Sequence, residues 1–194
     1  MQHPDEPRFE FRVFRDDVAP LREAMQARAS RVEQATSTEV YLVTRLNIDA
    51  IVKLREGNLD VKELVCRQGL LEQWRRVLNV EPPVPGDVFK AEVASRLGFA
   101  TDLPDGSALD EAAILGIARI EPALRVAELA KDRTVFHIGA CRAETVDITV
   151  GRERLASAAI DAVEAAPVEA LMQELGLSGE ANVSYAARLQ KLLF

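Results

Sequence analysis

"RFEFRVF", residues 8–14, alternates charge with apolar character: Phe9, Phe11 and Val13 share one parity, and Arg8, Glu10 and Arg12 share the other. Side chains of a strand alternate between its two faces, so this segment is a strand with an apolar face and an ionic face. An ionic face is ordinary on the solvated side of an antiparallel sheet. Other strands must therefore show whether it serves water or a ligand.

Residues 16–35, "DDVAPLREAMQARASRVEQA", place Val18, Leu21, Met25 and Val32 at helical spacing, with Asp16 or Asp17 as cap and Pro20 in the first turn. Three β-rich runs follow at residues 39–46, 50–56 and 59–65, and Gly57-Asn58 between the last two signals a hairpin. The spacing then predicts a helix over 69–79, the breaker "EPPVPG", a second helix over 87–99 and an amphipathic piece over 109–120. Strands are expected again over 124–138, 141–150 and 155–165, with a helix over 168–175 before the closing "NVSYAARLQKLLF". This is an α+β chain with mostly antiparallel pairing, read as one domain over 1–194 with a helical insertion at about 69–121.

The chain of 194 residues is 48% hydrophobic and 28% charged, a globular composition. Cys66 and Cys141 form no CxxC pair, and His3 and His137 are the two histidines, so neither a disulfide framework nor a zinc cluster is indicated. A reduced, cytoplasmic setting is the expectation, since no export signal and no apolar run of ~18 residues is present. The net charge of −7 argues against binding to duplex nucleic acid. A small anion, however, responds only to the charges lining its own site.

Cations recur at period two in the later strands. Lys53 and Arg55 share a face, Lys62 shares one with Asp60, and Arg125, Lys131 and Arg133 share one face of the longest strand, with His137 farther along it. Glu144 and Asp161 place single acids in the two strands that follow. An exposed, solubilising sheet face accounts for such a pattern. So does the interior of a closed sheet that holds a triphosphate, whose oxygens suit Arg forks and Lys point charges.

"LRE" and "LDVKEL" after a "VYLVT" strand, then "AKDRTVFHI", "AETVDI" and "NVSYAARLQKLL", resemble in their order the CYTH domain of the triphosphate tunnel metalloenzymes. The resemblance implies an eight-stranded antiparallel β-barrel, a tunnel with helices outside. It also implies a small anionic substrate containing a triphosphate, with Mg²⁺ or Mn²⁺ assisting hydrolysis or, in some members, cyclisation of ATP. Carried over by motif, Arg12, Lys53, Arg55, Lys62, Arg125, Lys131 and Arg133 would bind phosphate, and Glu10, Glu144 and Asp161 would hold the metal. No catalytic residue is assigned.

Two positions depart from the pattern. The entry strand of the family reads Glu-x-Glu-x-Lys where this chain has Arg8, Glu10 and Arg12, and its final Glu-x-Glu is Asp161-Ala162-Val163 here. Replacing an acid by Arg8 removes an oxygen donor and adds a cation, both unfavourable to a hard divalent ion. Four functions follow as alternatives: a metal-dependent triphosphate hydrolase, a polyphosphate- or nucleotide-binding module without turnover, a scaffold whose barrel is filled by its own ion pairs, and, as the resemblance implies, a class IV-type adenylyl cyclase. A homodimer is left open. Trp74 is read as core, His137 as structural and Tyr185 as a seal at the barrel end.

Overall fold

A computed structural model describes residues 6–194, so His3 lies outside the described residues. Eight long strands close a barrel: β1 (Arg8–Arg15), β2 (Arg31–Thr44), β3 (Ala50–Arg55), β4 (Asn58–Gln68), β5 (Leu71–Val80), β8 (Leu124–Ile138), β9 (Cys141–Val150) and β10 (Glu153–Ala162). Their order around the barrel is β1-β10-β9-β8-β2-β3-β4-β5, with β1 pairing antiparallel to both β10 and β5. A separate pair of two-residue strands, β6 (Val84–Pro85) and β7 (Ala108–Leu109), completes the sheet structure. This is the eight-stranded antiparallel α+β barrel expected from the sequence.

The chain divides into two compact units. One comprises residues 1–37, 64–75 and 129–184, and the other residues 38–63, 76–128 and 185–194. In the first, strand alternation turns Phe11, Val13, Ala143, Ala158 and Ile160 to one face. There they pack with Leu21 and Met25 of α1 (Ala19–Gln26) and with Val168, Leu171 and Met172 of α5 (Ala165–Glu174). In the second, Leu42, Val52, Leu54, Leu59 and Val61 pack against Phe89, Val93 and Leu97, and against Ile114 and Ala118 of α4 (Glu111–Ile120). Phe89, Val93 and Leu97 belong to a helical run made of α2 (Gly86–Val88), a π-helical turn (Phe89–Ala94) and α3 (Ser95–Leu97). Helix α6 (Tyr185–Leu193) ends the described chain. Each apolar face is covered by helices, which leaves the opposite face of the same strands to the charged residues.

Three local expectations change. Residues 69–79 are not helical: Gly69, at φ +58°, turns the chain into β5. An apolar run of this length satisfies a helix or a strand equally by spacing, and pairing of Arg8 with Trp74 and of Glu10 with Glu72 decides for the strand that closes the barrel. The helical part of the insertion is therefore confined to residues 86–97 and 111–120. Helix α1 stops at Gln26 rather than running to residue 35, because the Ser30 N–H donates to the His137 carbonyl and draws the β-branched stretch from Arg31 onward into β2. The hairpin between β3 and β4 turns on Glu56 and Gly57, both at positive φ as a type I′ turn requires, and Asn58 already pairs with Arg55.

Candidate functional site: two ionic clusters on the strand faces

The first unit gathers the ionic ends of β1, β9 and β10. Register places Glu10 opposite Asp161, Arg12 opposite Ala159, and Asp161 opposite Arg142, so these residues share one face. Arg12 is the pivot. Its Nε donates to Glu10 Oε1 at 2.9 Å, its Nη2 to Glu144 Oε1 at 2.9 Å and its Nη1 to the Ser157 hydroxyl at 3.1 Å. Its backbone is held by the closing segment of the unit. Strand β1 pairs with β5 only as far as Glu10, so the main chain of Arg12 needs other partners. The Arg12 N–H donates to Asn182 Oδ1 at 2.8 Å, the Val183 N–H donates to the Arg12 carbonyl at 2.8 Å, and Asn182 Nδ2 donates to the Glu10 carbonyl at 3.0 Å.

Arg142 links the other two carboxylates. Its Nη2 donates to Glu144 Oε2 at 3.0 Å and its Nη1 to Asp161 Oδ2 at 3.3 Å. Arg8 Nε donates to Asp161 Oδ1 at 2.5 Å, and Arg133 Nε lies 3.2 Å from Glu144 Oε2. Burial raises the Glu144 carboxyl, but Arg12, Arg142 and Arg133 outweigh it and hold the group well below the usual carboxylate range. Burial opposes charge on Arg142 too, and Glu144 and Asp161 overcome it, so the guanidinium is held more firmly protonated than usual. Lys131 is buried two residues from Arg133 on β8.

Glu72 on β5 was not among the residues singled out from sequence, because residues 69–79 read as helix. It lies across from Glu10, with Arg67 Nε 3.3 Å from its Oε1, while its buried Oε2 has no hydrogen-bond partner among the described residues. Burial pushes its carboxyl up, against the pull of Arg67, and the neighbouring Glu10 charge adds to the rise. Trp74 is buried, as expected of a packing residue, but stands on this ionic face and donates a hydrogen bond to Glu72. His137 sits apart from these carboxylates, with Nε2 2.8 Å from Glu33 Oε1 on β2.

The second unit has its own ionic set. Glu39, fully buried, accepts from Tyr41 Oη at 2.9 Å and from Lys53 Nζ at 3.0 Å, with Arg55 Nη1 at 3.9 Å. Asp60 lies opposite Lys53 in register, accepts from Arg76 Nε at 2.9 Å and stands 4.0 Å from Lys53 Nζ. Burial lowers the Lys53 ammonium to about 8, against the attraction of Glu39, and nearby Arg55 and Lys62 push the same way. Lys62 makes no ion pair among the described residues. Arg125 is exposed and used locally: Nη1 donates to the Leu124 carbonyl at 2.7 Å, and the guanidinium lies 4.8 Å from the centre of the Phe194 ring. Tyr185 packs its ring 5.6 Å from that of Tyr41. Glu39, Asp60, Arg76 and Arg142 were not assigned site roles from sequence; Glu39 stands opposite Arg55, Asp60 opposite Lys53 and Arg142 opposite Asp161, a signal legible only once strands are paired.

The three carboxylates suited by motif to a divalent metal do not present a donor set for one. Both oxygens of Glu144 and both of Asp161 are taken by guanidinium groups, and Oε1 of Glu10 is held by Arg12. Among the described residues, no three His, Cys, Asp or Glu side chains stand together to bind a metal ion. The group implied by the fold therefore does not fit these residues as they are arranged. Among the described residues no helix is long and apolar enough to cross a membrane.

No family model matches the sequence. No curated protein matches it either. Solved structures do resemble the fold. A candidate adenylate cyclase from Bacillus halodurans aligns over 99% of this chain and 100% of its own at 10% identity, with a TM-score of 0.54. The RNA triphosphatase domain of a mimivirus mRNA capping enzyme aligns over 92% of each chain at 9% identity and a TM-score of 0.53. A candidate adenylyl cyclase from Hippeastrum, described as having a dominant triphosphatase activity, covers 94% of this chain and 93% of its own at 11% identity and 0.50.

Proposed function

The fold is that of the triphosphate tunnel proteins, and on it we propose that this chain is a binding module for an anion carrying a triphosphate group. One observation carries the reading: on the ionic face of the first unit, Arg8, Arg12, Lys131, Arg133 and Arg142, with Arg67 beside Glu72, outnumber Glu10, Glu72, Glu144 and Asp161. A face designed only for internal neutrality would balance its charges. The surplus lies in guanidinium groups, whose planar forks suit phosphoryl oxygens, and an added anion would complete the neutralisation. The second unit repeats the imbalance, with Lys53, Arg55, Lys62 and Arg76 against Glu39 and Asp60.

Thermal unfolding of the chain with inorganic tripolyphosphate in EDTA tests this. A ligand bound only to the native state at ~100 times its Kd stabilises by about 2.7 kcal/mol, so Tm should climb with tripolyphosphate and not with equal ionic strength of chloride. No rise at millimolar tripolyphosphate overturns the reading.

Metal-dependent hydrolysis of the triphosphate is the second reading, favoured by the placement of Glu72 opposite Glu10 and by Glu72 Oε2, which has no hydrogen-bond partner among the described residues. It would require Glu10, Glu144 and Asp161 to exchange guanidinium partners for Mg²⁺ or Mn²⁺. Phosphate release from tripolyphosphate or ATP above that of Glu10→Ala supports it, and equal release from the two proteins removes it. Cyclisation of ATP has no residue on these faces that argues for it specifically.

A further inference from the structure

We propose that Arg142, together with Arg8, occupies the place of a divalent cation between Glu144 and Asp161, so that the chain takes up a metal-free polyphosphate and is antagonised by Mg²⁺. The inference rests on the anion-binding reading above and adds which form of the anion is recognised. A divalent ion bridging two carboxylates needs at least one free oxygen from each. Here Arg142 bridges them, Nη2 to Glu144 Oε2 at 3.0 Å and Nη1 to Asp161 Oδ2 at 3.3 Å. The remaining oxygens are closed as well, Glu144 Oε1 by Arg12 and Asp161 Oδ1 by Arg8.

The arrangement is ordered by chain chemistry. Arg142 and Glu144 stand two residues apart on β9 and hence on one face, and the register of β9 with β10 sets Asp161 opposite Arg142. Arg8, the residue that departs from the acid of the related motif, is the second cation on Asp161. A guanidinium is a cation that cannot be chelated away or lost by deprotonation. Unlike a metal ion, it also cannot arrive with the substrate.

Arg142 is the most open guanidinium bonded to Glu144, with 36% of its side chain exposed against 5% for Arg12 and 13% for Arg133. It can turn N–H groups toward an incoming phosphate while Arg12 and Arg133 keep Glu144 neutralised. Magnesium would compete at the other side of the equilibrium. It binds the same phosphate oxygens, lowers the charge of the anion and finds no carboxylate oxygen of Glu144 or Asp161 open to it.

Two calorimetric titrations of the full chain decide the matter. With MnCl₂ alone, the native chain is expected to show no saturable binding up to millimolar metal, whereas Arg142→Gln, which frees Asp161 Oδ2 and leaves only Arg133 beside Glu144 Oε2, gains it. With tripolyphosphate, excess Mg²⁺ is expected to weaken apparent binding about tenfold relative to EDTA. Saturable Mn²⁺ binding by the native chain that is lost in Glu144→Gln, or tighter tripolyphosphate binding with Mg²⁺, overturns the assignment. Tripolyphosphate that binds in neither condition removes the anion-binding function itself, and the manganese titrations then decide the arginine assignment alone. Arg8→Gln, which opens only Asp161 Oδ1, serves in place of Arg142→Gln if that variant fails to fold, with the same gain expected and its absence counting against the proposal.

Discussion

Arg12 and Glu144 meet at 2.9 Å with about one-twentieth of either side chain exposed, joining β1 to β9 although β10 lies between them in the sheet. A long guanidinium reaching across one strand to a carboxylate is a tertiary tie that no local sequence preference specifies. Its consequences, and those of its neighbours, can be measured.

Breaking this tie from its two ends should differ. Glu144 retains Arg142 and Arg133 when Arg12 is replaced, whereas loss of Glu144 leaves three guanidinium groups facing one another. Removing one member of a buried pair costs about 3–5 kcal/mol. Urea denaturation should therefore place Glu144→Leu at the upper end and Arg12→Met clearly below it, with the double variant less unstable than the sum of the singles. Additive losses would show that the pair is not coupled.

The same carboxylate predicts an acid limb. Its folded pKa lies below the ordinary value of 4.5, so the native state holds fewer protons than the unfolded chain as pH falls below that value. The stabilisation is present in full above about 4.5 and is lost progressively below it. Melting temperature followed from pH 6 down should fall less steeply in Glu144→Gln than in the native chain; parallel curves would contradict this.

Lys53 acts at the alkaline end with the opposite sense. Its folded pKa is about 8 and its ordinary value 10.5, so between these limits the unfolded chain binds the extra proton and stability rises with pH. The burden of the buried ammonium is full below 8 and gone above 10.5. Comparing urea midpoints of the native chain and Lys53→Met, the difference should shift in favour of the native chain over that interval, and a constant difference would refute the assignment.

Asn182 positions the main chain of β1 through two hydrogen bonds, one from the Arg12 N–H and one to the Glu10 carbonyl. Asn182→Ala should cost about 1–3 kcal/mol, the range for leaving buried polar groups unsatisfied. Hydrogen exchange at the Arg12 amide should quicken more than exchange at Phe11. Equal exchange in the native and variant chains would show that Asn182 is not the restraint.

Much of the barrel was legible in the chain because strand parity is a local property. Residues 8–14 alternate so cleanly that the apolar face of Phe9, Phe11 and Val13 and the ionic face of Arg8, Glu10 and Arg12 follow from period two alone. The same holds for Lys53 with Arg55 and for Lys131 with Arg133. Residues 69–79 show where this fails: Leu71, Trp74, Val77 and Leu78 satisfy the spacing of a helix, and only hydrogen bonding to β4 and β1 makes them a strand. Glu72 was hidden by that ambiguity.

Sequence by itself determined an α+β chain of mostly antiparallel strands with cations repeated along one strand face, since alternation and turn chemistry act over a few residues, while the closed barrel was implied only by the resemblance in motif order. Only tertiary structure decided what those cations do. Whether Glu144 and Asp161 offer oxygens to a metal or surrender them to Arg8, Arg12, Arg133 and Arg142 depends on register between β9 and β10 and on reach across strands. Coulomb attraction depends on distance in space, and residues 12 and 144 become neighbours only when the sheet is built.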